Sequence, residues 1–191
     1  MKRTIKDFDL EGKKIIIRCD LNVPIENGVI TDDTRIIASL RTIKYALRFN
    51  TKIILLSHLG KIKTEDDKKK NSLYPVAERL REYLNTEVLF SPDTCSDRLT
   101  DMVNNMKWKS VLLIENTRFE DVPNKRESEC NDDLAKYWAS LGDIFINDAY
   151  GTCHRNHTSI TGIPKYLPSG VGFLVEKELQ KIDSVLDAKT H

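Results

Sequence analysis

Glycine and proline are scarce in this chain, with 8 and 6 residues among 191. Low-complexity and collagen-like chains contain about a quarter or more of these residues, so both classes are excluded. Neither positive nor negative charge is in large excess, because the chain has 30 Lys and Arg and 29 Asp and Glu, which gives a formal net charge of +1. The chain therefore lacks an overall basic field, and we expect neither nucleic acid nor a membrane as a partner.

Long apolar runs and clustered cysteines are also missing. The longest apolar runs, Ile15–Ile17 and Ile53–Leu56, are far shorter than the ~18 residues that a membrane span requires. The first residues carry charge but no apolar segment of the kind found in secretory signals. The four cysteines include no Cys-x-x-Cys pair and predict no disulfide framework. We therefore expect reduced thiols in a cytoplasmic protein.

What the chain does contain is a repeated strand–helix pattern. Short apolar runs end in polar loops and are followed by segments with apolar residues three or four positions apart. The runs cover residues 14–19, 52–56, 87–90, 110–114 and 143–147. Most are continuously apolar, which is typical of strands buried on both faces. The pattern predicts a doubly wound parallel α/β sheet, a Rossmann-like fold with three αβα layers.

The segments between the runs predict helices. Apolar stripes predict helices around residues 36–47, 76–83, 99–106 and 134–141, and a final helix from about Phe173 to Leu186. The segment Pro168–Gly172 is typical of a turn. The mixed charges of Lys61–Lys70 indicate a solvated surface loop.

Cationic side chains accumulate in the loops that follow four of the predicted strands. Because the carboxyl ends of parallel strands lie at one edge of the sheet, these loops are expected to meet there. A cation cluster repels itself unless an anion occupies it, and arginine suits phosphate or carboxylate because it donates two parallel hydrogen bonds. The sequence therefore predicts a site for a small polyanion, built from His58, Lys61, Arg118, His154, Arg155 and His157, with Arg35 at the head of the first helix.

Two further residues in these loops indicate what kind of anion the site takes. Asp20 and Asn22 follow the first strand, and a carboxylate and an amide can hydrogen-bond hydroxyl groups. Their presence favours a hydroxylated phosphate ester. His157 is ambiguous, because a histidine can equally brace a loop.

Other chemistries have weaker support. Cys153, His154 and His157, with Asp148 nearby, could bind a metal for hydrolysis, but their spacing matches no structural zinc pattern. The chain has no Gly-x-Ser-x-Gly elbow and no Gly-x-x-x-x-Gly-Lys-Ser/Thr loop. No nucleotide site is therefore visible in the sequence.

Several motifs, in order and spacing, closely resemble those of phosphoglycerate kinase. The resemblance covers essentially the whole chain but only the amino-terminal half of that family, the domain that holds phosphoglycerate. It is carried by Arg18–Pro24, Thr31–Arg35, Ser57–Gly60, Glu115–Phe119, Asn147–Thr152, His154–His157 and Phe173–Leu179.

This resemblance implies reversible phosphoryl transfer between 1,3-bisphosphoglycerate and ADP, giving 3-phosphoglycerate and ATP in glycolysis. It implies that Arg35 is the catalytic cation and that Asp20 and Asn22 orient the glycerate. Lys61 stands where the family usually has arginine. Lysine keeps the positive charge but cannot donate the two parallel hydrogen bonds of a guanidinium group. The implied substrate-binding residues are Asp20, Leu21, Asn22, Arg35, His58, Leu59, Gly60, Lys61, Arg118 and Arg155.

The resemblance also implies what lies outside this chain. Residues 1–172 would form the phosphoglycerate-binding domain, and residues 173–191 would begin the hinge helix that leads to a nucleotide-binding domain. That second domain would bind Mg-ATP or Mg-ADP, so we expect no cofactor or metal on this chain. We expect a monomer that binds the substrate anion but turns over negligibly alone. The alternative is a stand-alone module that binds phosphorylated metabolites without catalysis.

Overall fold

The computed structural model describes residues 3–190. Six strands form a sheet in the order β5-β6-β4-β1-β7-β8, in which every neighbouring pair is parallel, and two short strands form a separate hairpin. The strands in chain order are β1 (Lys13–Arg18), β2 (Ile25–Glu26), β3 (Val29–Ile30), β4 (Thr51–Leu56), β5 (Val88–Ser91), β6 (Ser110–Ile114), β7 (Ile144–Asn147) and β8 (Ser169–Val171).

Six α-helices connect or follow these strands within the described residues. They are α1 (Thr34–Ala46), α2 (Glu65–Lys70), α3 (Tyr74–Tyr83), α4 (Asp97–Asn105), α5 (Asp132–Ala139) and α6 (Phe173–Lys189). A π-helical turn, Thr158–Gly162, lies between β7 and β8. None of the helices in this part of the chain is long and apolar enough to span a bilayer.

The sheet separates two apolar cores, because successive side chains of a strand point to opposite faces. In β1, Ile15 and Ile17 join the core that includes residues of α1 and α3, whereas Ile16 joins the core of α4 and α5. Trp138 of α5 is fully buried in this second core. The molecule therefore has three layers, and the prediction of a doubly wound parallel α/β fold is confirmed.

The strand predictions hold because the central strands are covered on both faces. All six residues of β4 are buried, and so are all five residues of β6. In β1 burial is complete from Ile15 to Arg18. An unbroken apolar run was therefore the correct signal for these strands.

The interpretation of Pro168–Gly172 as a simple turn was wrong. Ser169–Val171 forms the edge strand β8, in which Gly170 pairs with Ile146 of β7. The amino-terminal segment covers this edge, since Thr4 pairs with Val171 and the backbone N–H of Val171 donates to the carbonyl of Arg3 at 2.9 Å. A Cβ on Gly170 would lie 2.9 Å from that same carbonyl oxygen, so glycine fits this crowded edge.

The interpretation of Lys61–Lys70 as a loop also needs correction. Its second half is the helix α2, which buries none of its residues. Thr64 caps the helix by accepting from the backbone N–H of Asp67 at 3.3 Å, and the Asp67 carboxylate accepts from Thr64 N at 3.0 Å. This reciprocal capping stabilises a short charged helix that has no apolar face.

Helix α6 starts against the end of β7. The backbone N–H of Leu174 donates to Asp148 Oδ1 at 3.0 Å, and the N–H of Phe173 donates to Thr42 Oγ1 at 3.0 Å. Burial raises the pKa of Asp148 to about 6, although hydrogen bonds from Thr42 and the helix backbone oppose the shift. The start of α6 is thus fixed by two buried polar side chains of the α/β body.

Candidate functional site

The loops predicted to form the site follow four adjacent strands. In the sheet β6, β4, β1 and β7 are consecutive neighbours and all run in the same direction. Their carboxyl ends therefore lie side by side at one edge, where α/β sheets bind ligands. The sequence argument for convergence is confirmed at the level of topology.

The loop after β4 is held by Asn116, which lies just beyond β6. Asn116 Oδ1 accepts from the backbone N–H of Leu59 at 3.2 Å, and its Nδ2 donates to the carbonyls of Leu59 at 2.7 Å and Asn71 at 2.9 Å. This fully buried side-chain amide makes the kind of hydrogen bonds to the loop backbone that a neighbouring strand would make. It fixes the backbone on either side of Gly60.

Gly60 itself joins three of the converging loops. Its N–H donates to Asn22 Oδ1 at 3.0 Å, and its carbonyl accepts from Arg118 Nη1 at 2.7 Å. The residue has a φ of +60°, and a Cβ placed here would lie 2.3 Å from Asn71 Oδ1. Backbone conformation and lack of space both require glycine at this position.

Arg35 approaches the site from the first turn of α1. Its Nη1 donates to the carbonyl of Asn22 at 2.9 Å and lies 3.4 Å from Asp20 Oδ1. The Arg35 side chain remains 54% exposed. It also lines a cleft of about 500 Å³ together with Asn22 and Thr34. The structure thus brings Asp20, Asn22 and Arg35 together at the mouth of an open cleft.

His58 is buried beside a second arginine. Its Nδ1 lies 3.0 Å from Nη2 of Arg18, and only 6% of the histidine surface is exposed. Burial, together with the nearby charges of Arg18 and Arg118, lowers the pKa of His58 to about 2. His58 is therefore a neutral hydrogen-bonding group at neutral pH rather than a cation.

Arg118 and Arg155 supply the positive charge of the site, and His157 lies near them. Burial lowers the pKa of Arg118, and the charge of Arg155 contributes to this shift, so the two guanidinium groups are close enough to repel each other. Burial also lowers the pKa of His157, against an opposing effect of the Glu127 carboxylate. Within residues 3–190, neither Arg118 nor Arg155 forms a salt bridge. Their charge is available to an anion.

The remaining predicted site residues differ in how they could act. The side chains of Leu21 and Leu59 are buried in the apolar core, so only their backbone groups could face a ligand. The N–H of Leu21 is already used by Ser57 Oγ at 2.9 Å. Lys61 and His154 are exposed. Their roles in binding stay predictions.

Sequence reasoning missed four polar residues that support the site. Asn116 organises the loop after β4, while Glu127, Ser159 and Arg18 form a buried polar chain behind His58. The sequence did indicate that Arg18 is unusual, because it directly follows the apolar run Ile15–Ile17 in a predicted buried strand. A buried charge of this kind requires partners.

The metal hypothesis finds no set of ligands. No three His, Cys, Asp or Glu side chains among the described residues are grouped closely enough to bind a metal ion. Cys153, His154, His157 and Asp148 therefore do not form the cluster that this alternative requires. The site is organised around arginine, amide and backbone groups.

Comparison with known proteins supports one family. The family model described as phosphoglycerate kinase matches residues 5–191. A phosphoglycerate kinase of Enterococcus faecalis is 54% identical over 187 residues, which is 97% of this chain and 47% of that protein. One from Fusobacterium nucleatum is 52% identical over 190 residues, covering 98% of this chain and 48% of that protein. The chain spans about half the length of these relatives.

Solved structures agree with this result. The structure of phosphoglycerate kinase from Coxiella burnetii matches with a TM-score of 0.82 and 34% identity, covering 96% of this chain and 44% of that one. The enzyme from Pyrococcus horikoshii matches with a TM-score of 0.80 and 32% identity, covering 94% and 44%. Similarity in sequence and in fold thus extends over nearly all of this chain.

Proposed function

The chain belongs to the phosphoglycerate kinase family, and from this premise we propose that it is the phosphoglycerate-binding half of such a kinase. The observation that carries the proposal is the arrangement around Gly60. Its peptide groups hold Asn22 and Arg118 on neighbouring loops. A hydroxyl-binding amide and a phosphate-binding guanidinium are thereby kept in one place.

The charges in this region fit a doubly charged phosphate ester. Arg118 and Arg155 form no salt bridge within the described residues, and the neutral His58 can donate a hydrogen bond to an anion. We assign the phosphate of 3-phosphoglycerate or 1,3-bisphosphoglycerate to these three residues. Asp20 and Asn22 would hydrogen-bond the glycerate hydroxyl and so orient the substrate.

The reaction we propose for the longer protein is transfer of the acyl phosphate of 1,3-bisphosphoglycerate to ADP. The reverse direction forms 1,3-bisphosphoglycerate from 3-phosphoglycerate and ATP. In either direction Arg35 would stabilise the negative charge on the phosphoryl group during transfer. Its position beside Asp20 and Asn22, with more than half of its side chain exposed, leaves the guanidinium accessible to that group.

The nucleotide would be bound outside this chain. Relatives are about twice as long, and we propose that the remaining half holds Mg-ATP or Mg-ADP. Helix α6, which leaves the body next to Asp148, would lead to that half as a hinge. Because donor and acceptor must be held in line, this chain alone should turn over negligibly.

We also propose that the protein acts in the cytoplasm as a monomer. All four cysteines are free, as reducing conditions require. Sedimentation equilibrium of the purified chain tests the monomer proposal. A concentration-dependent increase in mass above 22.0 kDa would contradict it.

Titration of the chain with 3-phosphoglycerate, followed by amide NMR shifts, tests the binding proposal. We expect saturable shifts at Gly60, Asn22 and Arg118, and weaker binding of glycerate, which lacks the phosphate, and of inorganic phosphate, which lacks the hydroxyl and carboxyl groups. Equal affinity for inorganic phosphate would indicate a general anion site. Shifts confined to other surfaces would refute the assignment.

A coupled assay of ATP formation tests the proposed inactivity. The chain alone should form no ATP from ADP and 1,3-bisphosphoglycerate above the level without protein, whereas the longer two-domain protein should turn over. Sustained turnover by residues 1–191 would contradict the proposal that the nucleotide is bound elsewhere.

A further inference from the structure

Arg18 is buried completely, and each of its nitrogens has a partner. Its Nε donates to Ser159 Oγ at 2.9 Å, its Nη2 lies 3.0 Å from His58 Nδ1, and its Nη1 donates to the carbonyl of Cys19. A guanidinium can only donate hydrogen bonds. The direction of each contact is therefore fixed by Arg18 itself.

The hydroxyl of Ser159 accepts one hydrogen bond in this series and donates the next. Ser159 Oγ accepts from Arg18, so its single proton is free to donate to Glu127 Oε2, which lies 2.6 Å away. The backbone N–H of Ser159 donates to the other carboxylate oxygen, Oε1, at 2.8 Å. Both oxygens of Glu127 accept, as expected of an ionised carboxylate. Glu127 is itself fully buried.

The same rule sets the tautomer of His58. Because Arg18 Nη2 donates, His58 Nδ1 must accept, and the proton of the neutral ring lies on Nε2. Nε2–H is then the one ring donor left for a ligand. A polar chain from Glu127 through Ser159 and Arg18 ends at a residue that we assign to phosphate binding.

We propose that Glu127 is a positioning residue for phosphate binding. By accepting the Ser159 proton it orients the serine toward Arg18, and Arg18 in turn holds His58 with Nε2–H available to the phosphate. This inference rests on the proposed function for the role of His58, but the tautomer it requires exists without any ligand. Glu127 makes no contact with the substrate in this proposal and acts through the other three residues.

Charge alone predicts the opposite effect of removing this carboxylate. Glu127 is an anion next to a site for anions, so neutralising it would strengthen phosphate binding if only long-range electrostatics mattered. If Glu127 positions the site, its loss disorders Arg18 and His58 and weakens binding. The sign of the change in affinity therefore separates the two effects.

The test compares Glu127→Gln with Glu129→Gln in the 191-residue chain. Both substitutions remove one negative charge, but Glu129 is exposed and lies two positions away. In Glu127→Gln the serine hydroxyl would face either the amide NH₂, which cannot accept its proton, or the amide oxygen, which is an uncharged acceptor. We expect Kd for 3-phosphoglycerate to rise about tenfold, as for the loss of one charge-assisted hydrogen bond, with Kd of Glu129→Gln unchanged or slightly lower.

The ¹⁵N spectrum of the His58 ring provides the readout that a merely structural role would not change. In the ligand-free wild-type chain, Nδ1 should give a pyridine-like shift and Nε2 a pyrrole-like shift. In folded Glu127→Gln, the two tautomers should become mixed. A wild-type ring protonated on Nδ1 would overturn the inference, as would tighter or unchanged binding in Glu127→Gln.

Ser159→Ala provides a second variant, which removes the bridging hydroxyl and keeps the Glu127 carboxylate. It should weaken binding and mix the His58 tautomers in the same way, and an unchanged ring spectrum would overturn the inference. If Glu127→Gln does not fold, this variant and the wild-type tautomer decide the question. If the wild-type chain has the expected tautomer but does not bind 3-phosphoglycerate, the proposed function is refuted and the hydrogen-bond arrangement around His58 stands.

Discussion

Arg118 Nη1 donates a hydrogen bond of 2.7 Å to the carbonyl oxygen of Gly60, which lies 58 positions earlier in the chain. This contact joins the loop after β6 to the loop after β4. One guanidinium edge thus holds the site together while the remaining N–H groups stay free for a ligand. In the function we propose, structural support and substrate binding would depend on the same side chain.

Arg118→Ala should therefore weaken 3-phosphoglycerate binding and also disturb the Gly60 loop. We expect a loss of about 1.5–3 kcal/mol, roughly a ten- to hundredfold increase in Kd. Calorimetry and the amide shift of Gly60 measure the two effects. Arg155→Ala is the matched variant, because Arg155 is exposed and its side chain forms no hydrogen bond to the loop backbone among residues 3–190. Kd should rise while the Gly60 amide keeps its shift. A Kd within twofold of wild type in both variants would contradict the assignment.

Gly60→Ala should destabilise the chain more than an equivalent change elsewhere. The new Cβ would meet Asn71 Oδ1 at 2.3 Å in a residue with a φ of +60°, and such strain costs on the order of 1–3 kcal/mol. Gly28→Ala is the control, since Gly28 has a φ of +77° but no atom within 4 Å of an added Cβ. Urea denaturation should show the larger loss for Gly60→Ala. Equal losses would mean that the contact with Asn71 is unimportant.

Arg35→Ala should affect turnover more than affinity in the longer, two-domain protein. We expect kcat to fall about a hundredfold or more, because the charge stabilises the transferred phosphoryl group, while KM for 3-phosphoglycerate changes little. Lys44→Ala, which removes an exposed cation from the same helix, is the control and should leave both constants unchanged. A raised KM with an unchanged kcat would indicate that Arg35 only binds substrate.

His58 should not titrate near neutral pH in the folded chain. Burial beside Arg18 and Arg118 lowers its pKa to about 2, so its ring resonances should stay constant between pH 8 and pH 5. In the unfolded chain the same ring regains a pKa of about 6.5. The unfolded state then binds more protons below that pH, and this residue makes the fold less stable as the pH falls. An inflection of the His58 signal near pH 6.5 in folded protein would contradict the structure.

The contribution of Asp148 to stability changes with pH in the opposite direction to that of His58. Its pKa rises from 3.8 to about 6 on folding, so between these values the folded chain holds a proton that the unfolded chain has lost. The stabilisation from this group is complete below pH 3.8 and is lost as the pH rises through about 6.

Asp148→Asn removes this ionisation and retains an oxygen that can accept from Leu174 N–H. Between pH 4 and pH 7, the free energy of unfolding of this variant should gain up to about 3 kcal/mol relative to wild type. Urea denaturation at both pH values measures the difference. Asp101→Asn, at an exposed position of α4, provides the control. A difference between Asp148→Asn and wild type that does not change with pH would rule out this linkage.

Much of the fold was predictable because burial on both faces leaves a strong signal in the sequence. The runs that form β1, β4 and β6 are continuously apolar, and their positions follow directly. Strand β8 gave no such signal, because its three residues, Ser169–Val171, are only partly buried at the edge of the sheet. Helix α2 lacked an apolar stripe, and its start was indicated only by the Thr64 and Asp67 pair and the acidic first turn.

The site was predictable in location but only partly in its internal contacts. Parallel strand topology alone brings His58 and Arg118 to one edge. The support of His58 could not be deduced from spacing, since Arg18 and Ser159 are 141 positions apart. That contact depends on the path of the chain between β7 and β8, where the π-helical turn Thr158–Gly162 presents the serine. Local sequence patterns carry no information about such a distant pair.

The pairing of Thr4 with Val171 determines how the sheet ends on one side. An uncovered edge strand exposes a row of unpaired N–H and C=O groups, on which another polypeptide can add a strand and begin aggregation. Here the amino-terminal segment occupies that row, with Arg3 accepting from Val171 and crowding Gly170. Arg3 and Thr4 thus cover part of this edge and reduce the backbone surface on which another chain could add a strand.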